Sequence, residues 1–134
     1  MSFREKSTWV MTAVMLLSGL FYMMSALPYP GSPVMETVVP YVLLVIVLSV
    51  AGQVVLAIRS PDEARAPLDE RERLVVDRAG YWGGVILAAA IVLAGIAYVV
   101  APNGNMLFHH AVLALIVAQI AQYIMQIALL RRAL

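Results

Sequence analysis

At 134 residues, 63% hydrophobic and 13% charged, the chain lacks the polar surface to cover a water-soluble core, because soluble domains run about half apolar and about a quarter charged. A net charge of +1 suggests no polyanion partner, since nucleic acid needs a basic face and the sequence shows none. The absence of cysteine excludes disulfides, thiol redox chemistry, cysteine nucleophiles and zinc–cysteine sites.

A short charged leader, Ser2 to Lys6, precedes an apolar run over residues 7–27. About 20 residues at 1.5 Å each span the ~30 Å of a bilayer's hydrocarbon, so this run predicts a first crossing. It exceeds the apolar stretch of a signal peptide, and Ser25-Ala26-Leu27 is a poor cleavage site. Pro28, Pro30, Gly31 and Pro33 then predict a tight turn. Ser32 before Pro33 predicts an N-cap with proline at the first helical position, opening a second crossing over 33–58. Pro40 inside that run predicts a kink or a later start. Residues 59–79 form a polar connector, in which Asp69 and Glu72 have capping-box spacing. A third crossing over 80–101 is announced by Tyr81-Trp82 and closed by the turn Pro102-Asn103-Gly104-Asn105. A fourth, over 106–130, stops at Arg131-Arg132.

Orientation follows from the basic residues. Arg4 and Lys6 precede the first crossing; Arg59, Arg65, Arg71, Arg73 and Arg78 lie in the connector; Arg131 and Arg132 follow the fourth. With four crossings these groups share one side, which the positive-inside rule makes cytoplasmic, with both termini. Glu36 is then the one ionised residue on the other side. Trp9, Tyr22, Tyr29, Tyr41, Tyr81, Trp82 and Tyr98 mostly fall near the interfaces, as aromatic belts do.

The connector carries the one dense charge run, Asp69, Glu70, Arg71, Glu72, Arg73, Asp77 and Arg78. On a helix, Asp69/Arg73 and Arg73/Asp77 are four apart and Glu70/Arg73 three apart, spacings that stabilise an exposed helix by a few tenths of a kcal/mol per pair. Two readings stand: a solvated helical extension held by its own charges, or a docking surface for a cytosolic protein or a membrane neighbour. Alternating signs leave little net field, so lipid head groups are poor targets.

The Asp-Glu-Arg-Glu-Arg-Leu run at 69–74, entering a tyrosine-led crossing, resembles a group of small uncharacterised bacterial four-helix membrane proteins, some encoded beside helix-turn-helix regulators. So do the start (Glu5, Lys6, Ser7, Trp9, Val10) and the end, Ala118-Gln119-Ile120 through Gln126 to Arg131-Arg132. The likeness covers most of the chain and is distinctive only in the central motif. It implies the same fold and orientation, a bacterial inner-membrane location and an accessory or regulatory role. It carries no catalytic residues.

In the interior of the crossings, away from Glu36 at the outer end of the second, there is no Asp, Glu, Lys or Arg, which argues against proton-coupled export and ion pathways. Neutral polar residues remain at helical spacing: Thr8 and Thr12, Ser18 and Tyr22, Ser49 and Gln53. Gln119, Gln122 and Gln126 lie within about 60° of one another at 100° per residue. The bland expectation is that these stripes, Gln53 included, bind helix to helix at about 0.6 kcal/mol per bond; the sharper one is a polar cavity or substrate path. Gly80, Gly84, Ala88, Ala94, Gly95 and Ala97 give the third crossing small-residue spacing that admits close packing on a helix of the same chain or of a second copy, as a homodimer.

At the outer face, Met23, Met24, Met35, Met106, His109 and His110 all fall within about two helical turns of one surface, with Glu36 nearby. Thioether and imidazole together suit Cu(I). Methionine is also ordinary apolar filler, and adjacent histidines point about 100° apart, which disfavours one ion between them. Haem between two axial histidines would need a second chain. A pH-sensitive contact of either histidine with Glu36 is a further alternative. No catalytic set emerges: there is no Ser-His-Asp constellation, phosphate loop or zinc-protease motif. The expectation is an all-α membrane protein, a four-transmembrane-helix bundle with both ends cytoplasmic, non-enzymatic, working through residues 69–78; the alternative is a small transporter or ligand-binding bundle.

Overall fold

A computed structural model describes residues 2–28 and 31–132. Tyr29 and Pro30, counted above in the turn and the aromatic belt, lie outside them. Among the described residues the chain is all helix: α1 (Phe3–Ala26), α2 (Val34–Arg59), the short α3 (Pro61–Arg65), α4 (Glu70–Val100) and α5 (Gly104–Arg132). All but α3 are long and apolar enough to cross a membrane.

Local chemistry sets the helix ends. The Ser2 hydroxyl accepts the Glu5 N–H at 3.3 Å, satisfying one of the free donors of the first turn of α1. The capping box of α4 forms at Asp69, with Glu72 accepting the Asp69 N–H at 3.4 Å. Two expected starts are corrected. Helix α2 begins at Val34 with Pro33, not Ser32, at the N-cap; Thr37 returns its hydroxyl to the Pro33 and Val34 carbonyls at 3.0 Å each. Helix α5 begins at Gly104, because the Asn103 side chain accepts the Met106 N–H at 3.1 Å and so acts as a cap rather than a turn residue. Helix α2 continues through Pro40.

Helix α1 is the seam of the assembly. Glu5, Thr8, Thr12, Met15, Gly19, Tyr22 and Ala26 are all buried, and their alternating spacing of three and four keeps one stripe facing its neighbours. Small residues allow the approach: a Cβ at Gly19 would lie 2.8 Å from Ile116 Cγ2, and one at Gly52 would lie 2.6 Å from Val10 Cγ1. Helix α1 packs on α2 and on α5, and α4 packs on α5. The long helices therefore form a row, α2–α1–α5–α4, with α5 also grazing α2, rather than a closed square. Met15, Tyr22, Ala26 and Ile116 centre the core. None of the most apolar window of α2 is buried within the chain, a surface that suits hydrocarbon rather than water.

Candidate functional site

The end of the row that holds Arg4, Arg59, Arg71 and Arg131, here the charged end, is tied together by long-range polar contacts. Glu5, only 5% exposed, accepts from Arg131 Nε at 3.0 Å, and the Arg131 guanidinium lies 5.4 Å from the centre of the Trp9 ring. Arg71 reaches the Leu130 carbonyl at 3.4 Å. The Glu5–Arg131 pair is the one ion pair within 4.0 Å among the described residues. The Asp69/Arg73, Glu70/Arg73 and Arg73/Asp77 spacings thus form no ion pairs. Glu70, Arg73, Asp77 and Arg78 are exposed on α4 with their charges directed outward. Glu72 is half-buried against the rest of the chain.

Behind that surface lies a chamber of about 410 Å³. Helices α1 and α4 both pack on α5, and the chamber lies among the three with a contribution from α2. Helix α5 contributes Tyr123, Gln126 and Leu130, and α4 contributes Glu72, Val75 and Val76. Helix α1 supplies Arg4, Ser7, Thr8 and Met11, while Gln53 of α2 and Leu68 of the connector complete the wall. A shallower recess of about 210 Å³ shares Arg4 and Glu72 with it and extends past Ser2 and Phe3 to Glu63 and Pro67. Arg4 and Glu72 therefore stand where the two spaces meet.

The glutamines of the expected stripe part company. The Ser7 hydroxyl donates to Gln53 Oε1 at 3.0 Å, joining α1 to α2. Gln122 fills the notch at Gly83, where an added Cβ would lie 3.0 Å from its Oε1. Gln119 is half-buried on α5. Gln126 is only 8% exposed, lines the chamber, and makes no side-chain hydrogen bond within the described residues. The hydroxyls on α1 face its neighbours but bond to their own helix: Thr8 to the Arg4 carbonyl at 2.8 Å, Thr12 to Thr8 at 2.7 Å and Ser18 to Val14 at 2.7 Å. Ser49 Oγ is buried without a hydrogen-bond partner among the described residues. In α4 the close packing runs through Ala79, Gly83 and Ala94, the buried small residues. Gly84 and Gly95, expected in that role, face open space.

At the opposite, uncharged end His109 is fully buried. Its Nδ1 lies 2.6 Å from the Tyr22 hydroxyl and its Nε2 lies 3.3 Å from the Ser32 carbonyl. A carbonyl can only accept, so in the neutral ring Nε2 carries the proton and Tyr22 donates to Nδ1. Asn105 adds a second donor to the Ser32 carbonyl at 2.7 Å, and Tyr41 stands edge-on to Tyr22 at 5.2 Å. With both ring nitrogens engaged, His109 could ligate a metal only by giving up one of these bonds. Met23, Met24 and Met35 are exposed. Met106 is half-buried, and His110 turns to an apolar groove beside Ala94 and Ala97. His109 contacts Tyr22 and Ser32, not Glu36. Among the described residues no group of three His, Cys, Asp or Glu side chains could hold an ion.

Tyr22, expected both near an interface and in a helix-binding stripe with Ser18, takes the second role through His109, whereas Glu5, placed in a charged leader by the sequence, is part of the buried face of α1. The spacing of Glu5, Thr8 and Thr12 was the available sign that the leader continues the buried face. No family model matches the chain, and no curated protein or solved structure matches it.

Proposed function

We propose that the chain is a non-enzymatic integral membrane protein, an accessory or sensor component of the bacterial inner membrane, that engages a protein partner through residues 69–78. The observation that supports this reading is the outward display of Glu70, Arg73, Asp77 and Arg78 without ion pairs inside the described chain. An exposed helix held by its own charges would spend them locally; here they remain available to a complementary surface. The distribution of basic residues argues for termini and connector in the cytoplasm. A photo-crosslinker at Asp77 in intact cells should give a discrete protein adduct, reduced by Arg73→Ala/Arg78→Ala, with none from the same probe at Val92 on the apolar face. Equal adducts from both positions, or none from Asp77, would discard the docking reading. An active periplasmic reporter fused after Leu134 would overturn the orientation.

A second reading, a small transporter or ligand-binding bundle, is favoured by the chamber. Its volume falls in the range of about 300–1,000 Å³ used by small-molecule sites.

A further inference from the structure

The geometry points to a binding site in the chamber for a small uncharged ligand that presents a hydrogen-bond donor and acceptor side by side, as a carboxamide does, with Gln126 as the recognising group. This rests on the second reading, not on the docking surface. Gln126 is more than nine-tenths buried, lines the space, and leaves both its amide oxygen and its NH₂ unused by the described chain. Its amide oxygen and NH₂ are not among the fully enclosed polar atoms, so both are open to whatever fills the space, and their pattern of adjacent donor and acceptor is matched best by another amide.

The neighbours narrow the chemistry. The Gln53 carbonyl is occupied by Ser7, which leaves its NH₂ as a donor, and the Tyr123 hydroxyl adds a group of either sense. The Thr8 hydroxyl is turned to the Arg4 carbonyl. Met11, Val75 and Leu130 offer an apolar wall for the ligand's body. Arg4 and Glu72 are the only ionisable lining groups besides Tyr123; they stand at the neck shared with the outer recess, and their formal charges cancel. Beyond that neck a charged ligand would meet no counter-ion, and a buried unpaired charge is strongly disfavoured. The outer recess, reaching Ser2 and Glu63, gives the route in from the charged end.

The absence of cysteine makes the test direct. Met11→Cys places a single thiol on the chamber wall, and its rate of modification by N-ethylmaleimide is read by mass spectrometry on protein in lipid nanodiscs. Three probes of one shape are compared: benzamide, benzoate and benzamidinium. A fragment of this size binds with Kd on the order of 1 mM, so benzamide at ten times its Kd should slow modification about tenfold. Benzoate and benzamidinium should leave the rate unchanged, and a thiol at Leu74, exposed near the charged start of α4 and outside the chamber lining, should ignore all three. Adding Gln126→Met should abolish protection while the protein stays folded by its melting profile; Tyr123→Phe, a milder change, should weaken benzamide several-fold. No protection by benzamide, equal protection by all three probes, or protection that survives Gln126→Met would each overturn the proposal. None of these outcomes bears on crosslinking at Asp77.

Discussion

Tyr22→Phe isolates one bond in the most deeply buried polar contact of the fold. The substitution keeps the ring against Tyr41 and removes only the hydroxyl that donates to His109 Nδ1 at 2.6 Å. Both residues are 0% exposed, so no water replaces the lost donor and the imidazole lone pair is left unsatisfied. Leaving a buried acceptor unpaired costs ~1–3 kcal/mol, while interhelical bonds measured in membranes average about 0.6 and reach about 1.7. The short distance and full burial put this one at the upper end, about 1–2 kcal/mol, or a ~5–30-fold shift in the folded ratio. The assay is reversible unfolding in mixed micelles titrated with dodecyl sulfate, followed by helical circular dichroism. Repeating it in a His109→Leu background closes a double-mutant cycle: with no imidazole to bond, Tyr22→Phe should then be neutral or mildly stabilising. An equal loss in both backgrounds would refute the reasoning, because the hydroxyl would then be acting on something other than His109.

By the same assay, Gly19→Ala and Gly52→Ala should each cost about 1–3 kcal/mol by overpacking, since the added Cβ would lie 2.8 Å from Ile116 and 2.6 Å from Val10. Gly84→Ala, with nothing within 4 Å, should be neutral or stabilising by up to ~1 kcal/mol. Arg131→Met should destabilise by roughly 1–3 kcal/mol, because it strands a buried carboxylate at Glu5, and Glu5→Gln on top of it should recover part of the loss. Gln126→Met should change stability by less than about 1 kcal/mol, because the amide opens onto the chamber and bonds to nothing in the described chain; a larger loss would show that the amide has a structural partner.

What the sequence revealed and what it hid divide along physical lines. Crossing lengths, the capping box at Asp69 and the gathering of arginines at one end follow from composition and local chemistry, which one stretch of chain carries by itself. Tyr22 meeting His109 depends on how α1 lies on α5, and the two are 87 positions apart; no local pattern encodes that. The charge ladder at 69–78 is a local expectation that the fold does not fulfil: Asp69/Arg73, Glu70/Arg73 and Arg73/Asp77 form no ion pairs among the described residues, and Arg71 reaches across to the Leu130 carbonyl instead. The glutamine stripe is visible as a stripe, but one helical face meets α4 at Gln122 and an open chamber at Gln126. Its members therefore have different surroundings despite sharing a period.

The Glu5–Arg131 clasp also has a consequence in time. Its partners are separated by 126 positions, so at ~5–20 residues per second the ribosome delivers the arginine about 6–25 s after the glutamate. During that interval Glu5 lacks the guanidinium it holds in the finished fold. The contact can close only on a polypeptide whose fourth long helix has arrived. A product truncated before Arg131 would leave Glu5 without the half-exposed arginine that caps it in the intact chain, a mark by which unfinished chains could be told from finished ones.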